Sequence, residues 1–194
     1  MSEKFEVPEE FEVSLSLERE GVLPKLIHLQ QRCWRILAPK WAYDPLSGEG
    51  AARFGGRFNP KGTPALYLSE EIDTAFAEDQ QDLLVRPGTF CAYQLDVAGV
   101  IDLCNPAMRE AIRIKEQILL SSWKEILLVQ KRQPPTWDLV VQLLKLGVAG
   151  IRVPSAQKQD GVNLVLWRWN DDPSRRVKVL DPKHELPSNQ DSWL

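Results

Sequence analysis

Two arginines, one in an apolar segment and one in a glycine-rich segment, each predict an anionic partner. Arg35 lies in the mostly apolar segment CWRIL, and Arg57 lies in the glycine-rich segment GEGAARFGGRFNPKG. A guanidinium in an apolar element needs a compensating anion, and it binds carboxylates and phosphates through paired N–H groups. The residues alone leave two partners open for each arginine: a carboxylate of the same chain or a phosphate group of a ligand.

A tyrosine, a carboxylate and a hydroxyl are the other candidate groups. Tyr67 lies near the end of a predicted strand, where its ring can stack on a flat ligand. Ser155 follows a strand end as well, either as a ligand contact or as an ordinary turn serine. Glu78 lies two turns into a predicted helix, but the helical wheel places Asp79 nearer the apolar face. The alternative for both carboxylates is a place on the solvent-exposed face of the helix, without a role in a site.

Several common catalytic arrangements find no support. The two histidines, His28 and His184, lie near the two ends of the chain, which does not favour a histidine metal site or a Ser-His-Asp triad. The glycine-rich segment matches neither GxxxxGK[ST] nor GxGxxG, so a nucleotide-phosphate loop of those types is not expected. We therefore predict a site without a metal.

The apolar patterns predict strands and helices that alternate irregularly along the chain. The predicted strands cover residues 32–37, 64–68, 89–104 with a break near Gly99, 150–154, 163–169 and 175–180. The predicted helices cover residues 23–31, 70–84 with Ser69 as N-cap, 106–130, and 136–146 with Gly147 as the C-terminal glycine. Residues 39–62 form a long loop, and loops of this length are often functional.

Length and pattern together indicate the fold class. At 194 residues the chain has the size of one domain or two small ones. Strands occur early and late with helices between them, which predicts a mixed α/β or α+β domain rather than a doubly wound sheet.

Composition predicts a cytoplasmic protein that does not bind nucleic acid or a membrane. No apolar run reaches the roughly 18 residues of a spanning helix, the N-terminus lacks the features of a signal peptide, and three scattered cysteines do not suggest disulfides. The net charge is −3, without a clustered basic face. Residues 1–20 contain seven glutamates and two basic residues. This charge predicts either a solvated arm or a surface that contacts a partner.

Four segments of the sequence resemble the RES-domain family. They are CWRI at 33–36, GGRFNPKGTPALYLSEEIDTAFAE at 55–78, PPTWDLVVQLLKLGVAGIRVPSA at 134–156 and NLVLW at 163–167. The resemblance covers roughly residues 30–180 and divides the chain into an acidic arm at 1–20, a RES domain at 21–182 and a polar tail at 183–194. The chain departs from the family pattern at Phe58, where a tryptophan is usual.

The resemblance implies a fold, an activity and a partner. RES domains resemble ADP-ribosyltransferases, so a single α+β domain with mixed or antiparallel sheets and flanking helices is expected. Members are commonly toxins that degrade NAD by phosphorolysis or hydrolysis and are restrained by a cognate antitoxin. NAD is then a substrate rather than a cofactor, and inorganic phosphate is a candidate co-substrate. The oligomeric state stays open.

The resemblance also assigns roles to individual residues. The expected catalytic residues are Arg35, Tyr67 and Glu78, and the expected NAD-binding residues are Arg57, Ser155 and Asn163. Two other functions stay open beside NAD degradation: transfer of ADP-ribose to a protein, and a non-catalytic module that binds NAD or a partner.

Overall fold

A six-stranded mixed sheet organises the computed structural model, which describes residues 24–80 and 86–191. The strands are β1 (Ile27–Leu37), β2 (Leu66–Ser69), β3 (Thr89–Asp102), β4 (Gly150–Pro154), β5 (Val162–Leu166) and β6 (Arg175–Val179). Their order is β1-β2-β5-β4-β3-β6, and β1 pairs with β3 as well. Five strands therefore close into a barrel-like ring, with β6 added at β3. Only the β3–β4 pair among these is parallel.

Short helices connect the strands. They are α1 (Glu49–Phe54), α2 (Ile72–Asp79), α3 (Pro106–Ala111), α4 (Glu116–Leu119) and α5 (Pro135–Lys145), with a 3-10 turn at Pro39–Trp41 and a π-helical turn at Glu125–Val129. This is the mixed α/β single domain that the order of the patterns predicts, and the doubly wound alternative is excluded. In the described part of the chain, no helix has the length and apolar character needed to cross a membrane.

The first strand begins earlier than predicted, and the helix expected at 23–31 is wrong where the structure describes it. Residues from Ile27 onwards are extended and pair with β3 from Ile27 opposite Val100 to Leu37 opposite Thr89. Leu29 is buried while its neighbours His28 and Gln30 are exposed, which is the alternation of a strand. The long pairing with β3 outweighs the weak helical spacing of three apolar residues.

The break expected near Gly99 is instead a bulge within one continuous strand. The register passes from His28 opposite Ala98 to Ile27 opposite Val100, so Gly99 has no partner on β1. Gly99 has a φ of +86°, a conformation that glycine adopts at little cost. Its carbonyl accepts a hydrogen bond from the Ala149 N–H, 2.8 Å away, which leads into the parallel pairing with β4.

The helix expected over residues 106–130 is divided into three short pieces. Arg113 has a φ of +55°, which ends α3, and Lys131 at +54° follows the π-helical turn. By contrast, α5 forms close to the predicted bounds, and Gly147 with a φ of +75° follows its end as expected. Residues 182–191 are attached to the domain, because Leu186 packs against the core and Gln190 Nε2 donates to the Tyr43 hydroxyl.

The loop predicted at 39–62 contains the 3-10 turn and α1, so it is more ordered than its composition suggests. The helix that follows β2 begins at Ile72 rather than at residue 70, and its last predicted residues, 81–84, lie outside the described ranges. The expected N-cap role of Ser69 is also wrong. Ser69 ends β2, and Glu71 occupies the N-cap position without a side-chain capping bond.

Two apolar clusters hold the sheet in place. One lies between the sheet and the helices α4 and α5, and includes the fully buried Leu119, Leu139, Leu143 and Ile151. The other is formed by inward residues of the strands, such as Leu95 and Leu164. Each buried leucine or isoleucine contributes about 1.5–3 kcal/mol relative to exposure. Both clusters fix the strand ends that surround the candidate site.

Candidate active site

A cleft of about 410 Å³ is lined by residues of four strands of the barrel-like ring, β1, β2, β4 and β5, and of the helices α1 and α2. This volume lies within the usual range of small-molecule sites. Five of the six residues expected from the sequence line it: Arg35, Arg57, Tyr67, Glu78 and Asn163. The sixth, Ser155, reaches the cleft through its contact with Glu78. Residues from β1, β2, α2, β5 and the glycine-rich loop are thereby brought together from distant parts of the chain.

One oxygen of Glu78 receives two hydrogen bonds, one from β5 and one from the turn after β4. Ser155 Oγ and Asn163 Nδ2 each lie 2.6 Å from Glu78 Oε1. Hydrogen bonds to an ionised carboxylate are among the strong ones in proteins. The side chain of Glu78 is therefore held in one orientation at the wall of the cleft.

The turn after β4 fixes the direction of the Ser155 hydroxyl. Ser155 Oγ accepts the backbone N–H groups of Gln157 and Lys158, both at 3.1 Å. Because both N–H groups point at the oxygen, the hydroxyl hydrogen is directed towards Glu78. The Ser155 N–H also donates to the Gly161 carbonyl at 2.8 Å and closes the turn. The turn thus orients the Ser155 hydroxyl as a hydrogen-bond donor to Glu78.

The neighbouring carboxylate, Asp79, has a different environment. Asp79 is exposed at the rim of the cleft, and its carboxylate accepts a hydrogen bond from Gln80. The side of α2 that packs inward carries Thr74 and Ala75, one turn before Glu78. Of the residues that the helical wheel gives as the apolar face, Ala75 does pack inward, but the larger Ile72 and Phe76 are 52% and 48% exposed.

Tyr67 joins β2 to the glycine-rich loop. Its hydroxyl donates to Asn59 Oδ1 at 2.7 Å and accepts the Phe58 N–H at 3.0 Å. Burial raises the pKa of Tyr67 well above its usual range, so the phenol stays protonated. A Cβ at Gly56 would lie 2.5 Å from both Tyr67 OH and Asn59 Oδ1, so only glycine fits there. The hydroxyl is engaged within the protein, while the ring faces the cleft.

Two tryptophans hold the glycine-rich loop against the core. Trp137 Nε1 donates to the Gly56 carbonyl and Trp167 Nε1 donates to the Phe58 carbonyl, both at 2.8 Å. The Thr136 hydroxyl makes a short hydrogen bond to the Arg57 carbonyl between them. The apolar sequence around each tryptophan does not reveal these polar contacts. The loop that carries Arg57 is therefore rigidly placed.

Backbone carbonyls, rather than carboxylates, contact both arginines. Arg57 Nη1 donates to the carbonyls of Leu119 and Ser121 at 3.2 and 2.5 Å. Arg35 Nη1 lies 3.5 and 3.3 Å from the carbonyls of Pro45 and Ser47. Within residues 24–80 and 86–191, neither guanidinium forms a salt bridge with a carboxylate. The first of the two partners left open by the sequence is thus not observed.

The electrostatics of the two arginines differ in one respect. Burial lowers the pKa of both guanidinium groups, and the nearby charge of Glu78 opposes this shift at Arg57. At Arg35 the opposing groups are led by the Tyr93 hydroxyl. Both groups remain cations at neutral pH. The cleft therefore presents two positive charges and the Glu78 carboxylate to a ligand, with the Asp79 carboxylate at its rim.

Residues that the sequence did not assign to the site complete the walls. Trp34, Trp123 and Ser69 also line the cleft. The Ser69 hydroxyl donates to Asn163 Oδ1 at 2.7 Å. Their positions follow from strand pairing and from the packing of α4, which the sequence pattern does not specify. No group of three or more histidine, cysteine, aspartate or glutamate side chains with metal-binding geometry occurs among the described residues.

Comparisons with known proteins agree with the geometry. The RES domain family model matches residues 32–189. The chain is 34% identical over 164 residues to proteins named NAD(+) phosphorylase MbcT from Mycobacterium bovis and Mycobacterium tuberculosis, which covers 76% of this chain and 80% of each relative. Among solved structures, the crystal structure of the M. tuberculosis MbcT-MbcA toxin-antitoxin complex matches with a TM-score of 0.57 and 26% identity. That match covers 81% of this chain and 87% of the other.

Proposed function

The chain belongs to the RES-domain family, and on this basis we propose that it is a toxin that degrades NAD by phosphorolysis. The observation that supports this most strongly is the pair of hydrogen bonds that fixes Glu78 in a cleft with two arginines. The relatives at 34% identity are named for the same reaction.

Breaking the nicotinamide–ribose bond requires stabilisation of positive charge. The electron pair of the bond leaves with nicotinamide and neutralises its pyridinium nitrogen, while positive charge develops on the ribose, as in glycoside cleavage. We assign Glu78 to stabilise that charge, either directly or by holding a ribose hydroxyl. A phosphate oxygen then forms the new bond to the same ribose carbon.

The two arginines are assigned to phosphate groups. NAD carries a diphosphate and the acceptor is an inorganic phosphate, so the reaction brings two anionic groups to the cleft. Arg35 and Arg57 lack carboxylate partners among the described residues, which supports a ligand as their anion. Arg57 lies close enough to Glu78 for their charges to interact, which suits an acceptor phosphate near the reacting carbon.

Tyr67, Ser155 and Asn163 receive more specific roles than the sequence gave them. The Tyr67 ring is proposed to stack on nicotinamide or its ribose, because its hydroxyl is already bound to Asn59. Ser155 and Asn163 were expected to bind NAD directly. Their contacts with Glu78 support a positioning role, in which they act on NAD through the carboxylate. In this proposal NAD and phosphate are substrates, and no cofactor takes part.

A cognate antitoxin is the proposed partner. The matching solved structure is a toxin-antitoxin complex, and an enzyme that drains NAD harms its own cell unless it is restrained. We place the contact at the mouth of the cleft, formed by residues 39–62 and the turn after Ser155. Residues 1–20, which lie outside the described ranges, are assigned a charge-dependent addition to that contact. The proposed place of action is the cytoplasm, where NAD is available.

The arrangement also supports the expected likeness to ADP-ribosyltransferases. An arginine on β1 of a barrel-like sheet and a glutamate on the adjacent α2 line a common cleft. We propose that the domain uses this arrangement as ADP-ribosyltransferases do: it binds NAD through the phosphates and exposes the ribose carbon to an acceptor.

Product identification tests the proposed function. Purified protein is incubated with NAD alone, with NAD and inorganic phosphate, and with NAD and a cell extract, and nicotinamide and its co-product are measured. Phosphorolysis predicts fast nicotinamide release only with phosphate, and a co-product one phosphate heavier than ADP-ribose. Free ADP-ribose would identify hydrolysis, labelled extract proteins would identify ADP-ribosyl transfer, and no nicotinamide release would leave only the binding module.

A further inference from the structure

Ser69 lies directly opposite Asn163 in the sheet. Ser69 is the last residue of β2, and the antiparallel register of β2 and β5 pairs it with Asn163. Its side chain is only 4% exposed. Residues paired across a sheet have neighbouring Cβ atoms, so their side chains interact. Ser69 does not reach Glu78 in any observed contact, but it contacts the residue that does.

The contact determines which way the Asn163 amide points. Ser69 Oγ donates to Asn163 Oδ1 at 2.7 Å, and Asn163 Nδ2 donates to Glu78 Oε1 at 2.6 Å. If the amide were reversed, its carbonyl oxygen would lie 2.6 Å from a carboxylate oxygen, and two acceptors would repel. The hydroxyl of Ser69 stabilises the orientation that places an N–H against the carboxylate.

We propose that Ser69 is a positioning residue for the reaction: it orients the Asn163 amide, which in turn holds the Glu78 carboxylate. This inference rests on the proposed function, since it assigns Ser69 to the same site. Ser155 reaches the same oxygen through a hydroxyl that two backbone N–H groups direct. Ser155 and Asn163 are therefore each fixed by other groups, Ser155 by the turn after β4 and Asn163 by Ser69 on β2.

Removal of the hydroxyl should affect turnover more than binding. In Ser69→Ala the backbone pairing of β2 is retained, while the Asn163 amide loses the group that fixes its rotation. We expect kcat to fall about fivefold to tenfold, the rate equivalent of one hydrogen bond, with KM for NAD changed less than twofold. Ser69→Thr keeps the hydroxyl and should retain most of the activity. Ser188→Ala, at an exposed position that does not line the cleft, is the matched control.

A double-mutant cycle tests whether Ser69 acts through Asn163. Nicotinamide release is measured for Ser69→Ala, Asn163→Ala and the double variant, with Tm recorded for each. The proposal predicts that Ser69→Ala causes no further loss of kcat in the Asn163→Ala background. An additional loss there, or an unchanged kcat in the single variant, would overturn it.

A spectroscopic measurement decides the contact independently of activity. The Asn163 side-chain amide is assigned in a ¹⁵N–¹H spectrum by its absence in Asn163→Ala. Ser69→Ala should shift these signals and speed their exchange with water, whereas Ser69→Thr and Ser188→Ala should not. Unchanged Asn163 signals in Ser69→Ala would overturn the inference. If the wild-type protein released no nicotinamide, the proposed function would fail, and this spectrum would still decide whether Ser69 orients the amide.

Discussion

Ser155 Oγ lies 2.6 Å from Glu78 Oε1, although 77 residues separate them in the chain. The contact joins the turn after β4 to α2, two elements that approach each other only because β2 and β4 both pair with β5. Lys158, in the same turn, forms ion pairs with Glu71 and Asp73 at the other end of α2. The carboxylate is thus placed by a turn that contacts both ends of its helix.

The first prediction concerns the carboxylate itself. Glu78→Gln keeps the size of the side chain but removes the charge proposed to stabilise the transition state. We expect kcat for nicotinamide release to fall about 100-fold or more, with a much smaller change in NAD affinity. Asp79→Asn, on the same helix but exposed, should retain nearly full activity. Equal losses in the two variants would contradict the assignment of Glu78.

The second prediction concerns the arginines. Lysine keeps the positive charge but lacks the planar fork that binds carbonyls and phosphates through several N–H groups. We expect Arg35→Lys and Arg57→Lys each to raise KM for NAD or for phosphate about tenfold in steady-state kinetics. Arg53→Lys, on the exposed side of α1, is the control and should behave as wild type. Unchanged kinetics in both cleft variants would assign the two arginines to structure alone.

The third prediction concerns a partly buried ion-pair network beneath the site. Arg152 contacts both carboxylate oxygens of Glu70 at 2.7 and 2.9 Å and also pairs with Asp102. Burial alone would raise the pKa of Glu70, but hydrogen bonds from Arg152 and Gln31 outweigh it and hold that pKa below its usual value of 4.5. The network therefore stabilises the fold most where Glu70 is ionised in both folded and unfolded chains.

The pKa of Glu70 is lower in the folded state than in the unfolded state. The contribution of Glu70 to the free energy of unfolding is therefore present above about pH 5, and it is lost as the pH falls through the folded-state pKa. We expect Glu70→Gln to lower the free energy of unfolding at pH 7 by about 1–3 kcal/mol. Between about pH 5 and 3, the free energy of unfolding of Glu70→Gln should fall less steeply than that of wild type. Urea unfolding across this range measures both effects. Exposed Glu110→Gln is the control, and a Glu70→Gln curve parallel to wild type would contradict the prediction.

The fourth prediction applies to cells. Expression of the wild-type chain without its antitoxin should arrest growth and deplete cellular NAD, whereas Glu78→Gln at the same protein level should be tolerated. Cellular NAD and growth are measured together after induction. Co-expression of the cognate antitoxin should restore both. If wild-type expression left growth and NAD unchanged, the toxin function would be contradicted.

The sequence predicted the components of the site better than their connections. The resemblance to RES domains named six residues, and five of them line one cleft while Ser155 contacts Glu78. The apolar pattern could not separate Glu78 from Asp79, because α2 packs through the small Thr74 and Ala75 rather than through its large apolar residues. Nor could it assign a role to Ser69, whose contact with Asn163 depends on the pairing of β2 with β5.

The fold was predicted where long-range pairing agreed with local pattern. The segments that became β4, β6 and α5 have clear periodicity and formed close to the expected bounds. Residues 27–31 and 106–130 did not form as expected, since pairing with β3 extended the first and left-handed residues such as Arg113 divided the second. Tertiary contacts override weak local preferences in such segments.

Transfer of labelled inorganic phosphate tests the central claim most directly. Purified protein is incubated with NAD and ³²P-labelled phosphate, and nicotinamide release is compared with label recovered in the ADP-ribose product. Phosphorolysis predicts one labelled phosphate incorporated for each nicotinamide released, with neither formed by Glu78→Gln above background. Nicotinamide release without label in the product would contradict phosphate as the acceptor, and the absence of both from the wild-type protein would contradict NAD degradation itself.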